Sequence, residues 1–311
     1  MSAEDDDTAA ASDGHPRADD SPDGARPDGG TTAHAAMTAD ETRSDGTARQ
    51  VLGVARREYR VLSRARWTYG LAALFGAFSL AVVGLAGTAT GPTGAGALLV
   101  TLAELSVYLV PLAALALGYG TVVGADERGT LELLLSVPLG RTELLVGKYL
   151  GRAATLAVGM ALGLGAGAVV VLTRFGPAVL PAYLHYLLTA VVVGAAFLSL
   201  GVCLSAATAE KARALGGALL AWVLFVLVYD LAALGVVVAL DPPGWLLSAL
   251  VVGNPADALR LVVLSLVPTS GGGVGAALAT TAVSTPALAV GLALWIAVPL
   301  AVGGRLLARR A

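Results

Sequence analysis

The chain has 311 residues, 56% hydrophobic and only 14% charged, with a mean hydropathy of +0.77. That composition excludes an ordinary soluble globular domain and points to one embedded in a membrane. The net charge of -2 hides an asymmetry, because twelve of the 22 acids precede residue 46, and the single cysteine, Cys203, excludes a disulfide or cysteine-based metal cluster within one chain.

Residues 1–48 are rich in Asp, Gly, Pro, Thr and Ala without periodicity. They cannot bury enough surface to offset chain entropy and are expected to form a disordered acidic tail. No secretory signal is expected, since the first apolar run begins near Trp67 behind that tail. Residues 49–66 predict an amphipathic helix with Val51, Ala55, Tyr59 and Leu62 on one face. Arg56, Arg57, Arg60 and Arg64 lie on or beside the other. Such a helix either lies in the plane of the membrane surface or forms the basic flank of a first span.

Six apolar runs are long enough to cross a bilayer, which takes about 20 residues: 67–87, 98–123, 149–172, 183–206, 214–240 and 285–305. With six spans, fourteen Lys and Arg residues flank one side (56, 57, 60, 64, 66, 128, 141, 148, 152, 211, 213, 305, 309 and 310). Arg174 and Arg260 are alone on the other. The positive-inside rule then puts both termini in the cytoplasm of a multi-pass cell-membrane protein.

Between the second and third spans lies the densest charged block of this apolar region, with Asp126, Glu127, Arg128, Glu132, Arg141, Glu143, Lys148 and Arg152. A short helix is predicted from about Thr130 to Ser136, stopped because Pro138 disfavours the helical conformation at Val137. A second begins with Gly140 as N-cap and Glu143 at its third position, near the positive end of the helix dipole. It continues into the third span, where Gly147, Gly151, Thr155, Gly159, Gly163 and Gly167 recur every four residues. Small residues allow close helix approach, within the chain or across a dimer. A four-residue repeat drifts about 40° per step, so one straight partner helix can follow only part of it.

Glu104 and Asp230 lie inside the second and fifth spans, roughly 9 and 15 Å from the outer ends at 1.5 Å per residue. Ionisable groups there are costly to keep and suggest function. They either line one outward cavity or form a hydrogen-bonded structural pair, with Tyr108 one turn from Glu104 as a partner. In 241–284, Asp241-Pro242-Pro243-Gly244 marks a turn. Asn254-Pro255-Ala256-Asp257 has the N-cap, first-turn proline and acidic third position of a helix start. Residues 245–267 are expected as two short helices in or on the outer leaflet.

His185, Cys203, Met160 and Met37 are scattered, so no metal site is expected. The nearest approach to a phosphate loop, Gly140 to Tyr149, has six residues between its glycines and Tyr149 where Ser or Thr should hold magnesium. The chain is therefore expected to be no enzyme, to bind no cofactor, and to use ATP only through a partner. No nucleic-acid partner is expected.

The run Glu127-Arg128-Gly129-Thr130-Leu131-Glu132-Leu133-Leu134-Leu135-Ser136-Val137-Pro138-Leu139, with Arg141-Thr142-Glu143-Leu144 and Gly147-Lys148-Tyr149-Leu150-Gly151, resembles the signature of ABC exporter permeases of the type-2 membrane family. The resemblance covers residues 49–311. It implies an all-α polytopic permease domain with six transmembrane helices, an amphipathic interface helix and a cytoplasmic coupling element between helices 2 and 3. It also implies a homodimer whose ATPase docks on Glu127, Arg128, Gly129, Thr130, Glu132, Arg141, Glu143 and Lys148. Asn254-Pro255-Ala256-Asp257-Ala258-Leu259-Arg260 resembles a segment of the NosY-type permeases, which serve copper-centre maturation of nitrous oxide reductase with a cytoplasmic ATPase and an extracytoplasmic assembly protein. Two other classes remain open. One is a secondary transporter coupled to protons through Glu104 and Asp230, against which stands the lack of an inverted repeat. The other is a membrane scaffold that transmits force to an external partner and transports nothing.

Overall fold

The computed structural model describes residues 29–85, 91–126, 140–240, 243–266 and 284–309. Among the described residues every regular element is helical. The elements are α1 (Gly29–Arg64), α2 (Trp67–Leu85), α3 (Gly91–Gly118), α4 (Val123–Asp126), α5 (Arg141–Phe175), α6 (Leu180–Ala207), α7 (Lys211–Trp222), α8 (Tyr229–Leu240), α9 (Gly244–Gly253), α10 (Pro255–Leu266) and α11 (Thr285–Arg309). A π-helical segment, Val223–Val228, joins α7 to α8. Among the described residues six helical stretches are long and apolar enough to cross a membrane: α2, α3, α5, α6 with its leading 3-10 turn, α7 through α8, and α11. They match the six predicted spans.

The chain divides into two units, Met1–Asp45 and Gly46–Ala311. In the first, the described backbone is helical from Gly29, which differs from the expectation of a structureless tail as far as residue 48. Ala33, Ala35 and Ala36 supply the strongest helix former in that stretch. Residues 1–28 lie outside the described residues.

In the second unit α2 packs along α5, while α3 and α11 flank α6. The small-residue stripe of α5 explains the first of these contacts. A Cβ placed on Gly147, Gly151, Gly159, Gly163 or Gly167 would come within 2.6–2.7 Å of Val54, the Ala55 carbonyl, Leu71, Phe75 or Ser79 respectively. Only glycine leaves room for helix axes this close. Two helices share the stripe, α1 over Gly147 and Gly151 and α2 over Gly159 to Gly167, as a drifting four-residue repeat requires. Ser79 closes the seam by donating to the Gly163 carbonyl at 3.2 Å. The stripe is thus filled by the chain's own helices.

This packing changes the reading of α1. Its Val54 and Ala55 lie against the N-terminal half of α5, so that part of its apolar face meets protein. Arg66, at φ 64°, makes the left-handed residue that ends α1 and lets α2 begin.

Candidate functional site

At the start of α5 the Gly140 N–H donates to Glu143 Oε2 at 2.9 Å, satisfying a donor the helix itself leaves open. Three basic side chains follow: Arg141 and Arg152 bond carbonyls at the C-terminal ends of other helices, where the dipole favours cations, and Lys148 bonds one in the turn after α3. Arg141 donates to the Leu307 carbonyl of α11 at 3.1 Å. Lys148, only 7% exposed, donates to the Thr121 carbonyl at 3.2 Å, and Arg152 donates to the Leu117 carbonyl of α3. Arg152 also pairs with Glu58 of α1 at 2.9 Å.

The sequence reading assigns Arg141, Glu143 and Lys148 to partner docking. Within the chain all three also have the bonds just described, and Lys148 is buried. Lys148 and Arg152 adjoin Gly147 and Gly151, so the helix spacing that builds the seam carries them into it. Glu127, Arg128, Gly129, Thr130 and Glu132, with the predicted helix at 130–136, lie outside the described residues.

The second set of candidates converges. Helices α9 and α10 form a hairpin bent by 116° at Asn254, and α10 lies against α6 and α3. The hairpin therefore enters the bundle. Asn254 is fully buried; its Oδ1 accepts from the Ala256 N–H at 3.1 Å, capping α10 as the Asn-Pro-x-Asp spacing predicts, while Nδ2 donates to the Phe225 carbonyl at 2.9 Å. Phe225 sits in the π-helical segment, where ordinary helical pairing is interrupted. Tyr229 Oη donates to the Leu250 carbonyl at 2.7 Å and Trp295 Nε1 to the Val252 carbonyl at 3.0 Å. These bonds satisfy backbone groups that the break between α9 and α10 would otherwise strand.

Arg260, one turn into α10 and 4% exposed, is the centre of the site. Its Nε donates to Glu104 of α3 at 3.1 Å. Two nitrogens engage both carboxylate oxygens of Asp230 on α8, at 3.0 and 2.7 Å, and Nη1 also donates to Asp257 at 2.7 Å. Glu104 is 42% exposed, Asp230 20% and Asp257 5%. One guanidinium thus ties α3, α8 and α10 together through three carboxylates, with a formal net charge of -2. The planar, multiply donating fork of arginine suits this; a point-charge ammonium would not.

Glu104, Asp230, Asn254, Asp257 and Arg260 were each singled out in the sequence, but as two separate groups. The expected Tyr108 partner of Glu104 is replaced by Arg260, and the side chain counted as an outer flanking charge is internal. Tyr229, Phe225 and Trp295 were missed. Their signal was weak: an aromatic with a polar tip inside an apolar run, which usually finds a partner when buried. Among the described residues no three His, Cys, Asp or Glu side chains form a metal-holding group.

Among the described residues, six apolar spans and a bent hairpin packed into the bundle, together with a densely charged block between the second and third spans, mark a polytopic membrane protein. A family profile described as "ABC-2 family transporter protein" matches residues 52–310, and the chain belongs to that family as a permease subunit of an ABC transporter. It is 36% identical over 269 residues to the "Probable ABC transporter permease protein NosY" of Pseudomonas aeruginosa, covering 83% of this chain and 97% of that protein. It is also 35% identical over 274 residues to the protein of the same name from Stutzerimonas stutzeri, covering 84% and 99%.

Proposed function

We propose that this permease is driven by a separate cytoplasmic ABC ATPase, works as a homodimer, and transmits the resulting motion to its outer hairpin for copper-centre maturation of nitrous oxide reductase. The observation that supports this most directly is the similarity to two NosY permeases over nearly their whole lengths, with the Asn254 to Arg260 segment built into a buried junction of three helices.

In this reading both termini and the 126–152 block face the cytoplasm. With Arg260 internal, Arg174 is the sole remaining outer flank, and it donates to the Val83 carbonyl at 2.9 Å. The ATPase contact falls to Glu127, Arg128, Gly129, Thr130 and Glu132. ATP-driven closure of two nucleotide-binding domains pushes this region in each protomer, and α5 carries the push. An extracytoplasmic assembly protein responds to the outer hairpin only insofar as it binds its two states unequally. ATP is consumed by the ATPase, and this chain contributes no nucleotide ligand.

The test is a pull-down at fixed salt beside a quantitative membrane blot. A charge that serves a soluble partner contributes under about 1 kcal/mol to the folding of its own chain, so Glu127→Lys and Arg128→Glu should insert normally. A reversed charge against a partner costs about 2–5 kcal/mol, roughly 30- to several-thousand-fold in affinity. Both variants should therefore lose the ATPase. Unchanged recovery for both would remove the coupling assignment and bring the proton-coupled reading through Glu104 and Asp230 to the front.

A further inference from the structure

The outward face of α1 near the first span is a stripe of arginine. Gly53, Arg56, Arg57, Arg60, Val61 and Arg64 recur at intervals of three and four residues and line a concave volume of about 540 Å³. All four arginines are exposed. Glu58 is the sole acid between residues 49 and 66, and it turns the other way, to Arg152 at 2.9 Å. Among the described residues, Arg56, Arg57, Arg60 and Arg64 have no carboxylate within ion-pair distance. Like charges at this helical spacing destabilise an isolated helix, so an anionic surface beside them would relieve a repulsion that no carboxylate among the described residues compensates.

The position of the stripe says which anion. Trp67 and Tyr69, both exposed, follow Arg64 at the start of the first span, and amphipathic aromatics there mark headgroup depth. Leu52 and Val61 are exposed beside the arginines, giving apolar contact for the upper part of an acyl chain. Val54 and Ala55 are committed to Gly147 and Gly151 of α5, which fixes the helix with its basic side outward. We propose that the Arg56, Arg57, Arg60 and Arg64 face of α1 is a binding site for the headgroups of anionic phospholipids in the adjoining leaflet. The forked guanidinium suits a phosphodiester, and Gly53, with nothing within 4 Å of where a Cβ would stand, leaves room for it. Through Glu58 and the Gly147 and Gly151 contacts, a headgroup bound here also steadies the start of α5.

The test is equilibrium binding of acyl-labelled phosphatidylglycerol and phosphatidylcholine to the purified full-length chain in neutral detergent. Each arginine near an anionic surface is worth roughly fivefold in affinity, so wild type should prefer phosphatidylglycerol by about tenfold or more. The quadruple Arg→Gln variant at positions 56, 57, 60 and 64 should bind both alike, and the quadruple Arg→Lys variant should keep most of the preference. Should the quadruple Gln variant fail to fold, Arg56→Gln with Arg60→Gln should still lose about fivefold or more. Arg305→Gln with Arg309→Gln, at the end of α11, should change nothing. Three results would overturn the proposal: equal binding of the two lipids by wild type, an undiminished preference in the Gln variants, or full displacement of phosphatidylglycerol by inorganic phosphate. Loss of the ATPase with lipid preference intact would assign the face to a protein instead.

Discussion

Replacing Arg260 with methionine keeps an unbranched side chain of similar reach but removes the guanidinium from three carboxylates. Asp257, 5% exposed, and Asp230, 20% exposed, then lose their counter-charge where little water can replace it. Removing one partner of a buried ion pair costs about 3–5 kcal/mol, most of it the penalty of the stranded charge. Glu104→Gln should cost under about 1 kcal/mol, because this side chain is 42% exposed and its amide oxygen can still accept from Arg260 Nε. Neutralising all four positions together (Arg260→Met, Glu104→Gln, Asp230→Asn and Asp257→Asn) should recover much of the loss, since a neutral replacement strands no charge. Thermal unfolding in detergent, followed by intrinsic fluorescence, ranks the three proteins. The reasoning fails if Arg260→Met is no less stable than Glu104→Gln, or if the quadruple variant is less stable than Arg260→Met alone.

Three further outcomes are expected. Gly163→Leu should destabilise by about 1–3 kcal/mol through overpacking against Phe75, whereas Gly165→Leu two residues away, with nothing within 4 Å of its Cβ position, should stay within about 0.5 kcal/mol of wild type in the same unfolding assay. A cysteine introduced between residues 269 and 275 should react with an impermeant thiol reagent on intact cells while Ala209→Cys does not; labelling of Ala209→Cys would overturn the orientation drawn from the arginine flanks. Glu104→Gln and Asp230→Asn should preserve assembly with the ATPase but slow coupled ATP turnover, and normal turnover in both would leave the Arg260 cluster a purely structural tie.

The spans were legible because hydropathy over some twenty residues is a strong signal in lipid, and the cap of α10 because Asn254, Pro255 and Asp257 each carry a local preference. The glycine stripe announced a close contact but could not say with what. Its phase drift required more than one partner, and the structure supplies α1 and α2. The Arg260 cluster was hidden for a different reason. Its members come from α3, α8 and α10, and no local pattern encodes a meeting of three separate helices. Counting flanks treats Lys148 and Arg260 as solvent-facing cations, whereas both donate to acceptors inside the chain.

The two ends of the molecule are joined unequally, and this bears on where an ATP-driven push would be felt. Helices α2 and α5 meet through glycines with no space for a Cβ, and α1 is pinned to the same helix by Glu58 and Arg152. Close packing of this kind has low compressibility and transmits strain. The fifth span is built differently. Only 11% of the residues in its most apolar stretch are buried by the rest of the chain, it contains the π-helical segment, and Asp230 holds it to Arg260 while Tyr229 and Asn254 tie it to the hairpin. Directional polar contacts with alternative partners nearby can exchange in discrete steps, as a seam of interlocked backbones cannot. If force enters at the start of α5 as proposed, α1, α2 and α5 would move as one body. The displacement would then concentrate between α3 and α8, across the guanidinium that bridges Glu104 and Asp230. Arg260→Lys tests that placement, because an ammonium keeps the charge but loses the fork: stability should fall less than in Arg260→Met, while coupled ATP turnover should fall as far. Turnover restored to the wild-type rate by lysine would show that charge alone suffices and would move the hinge elsewhere.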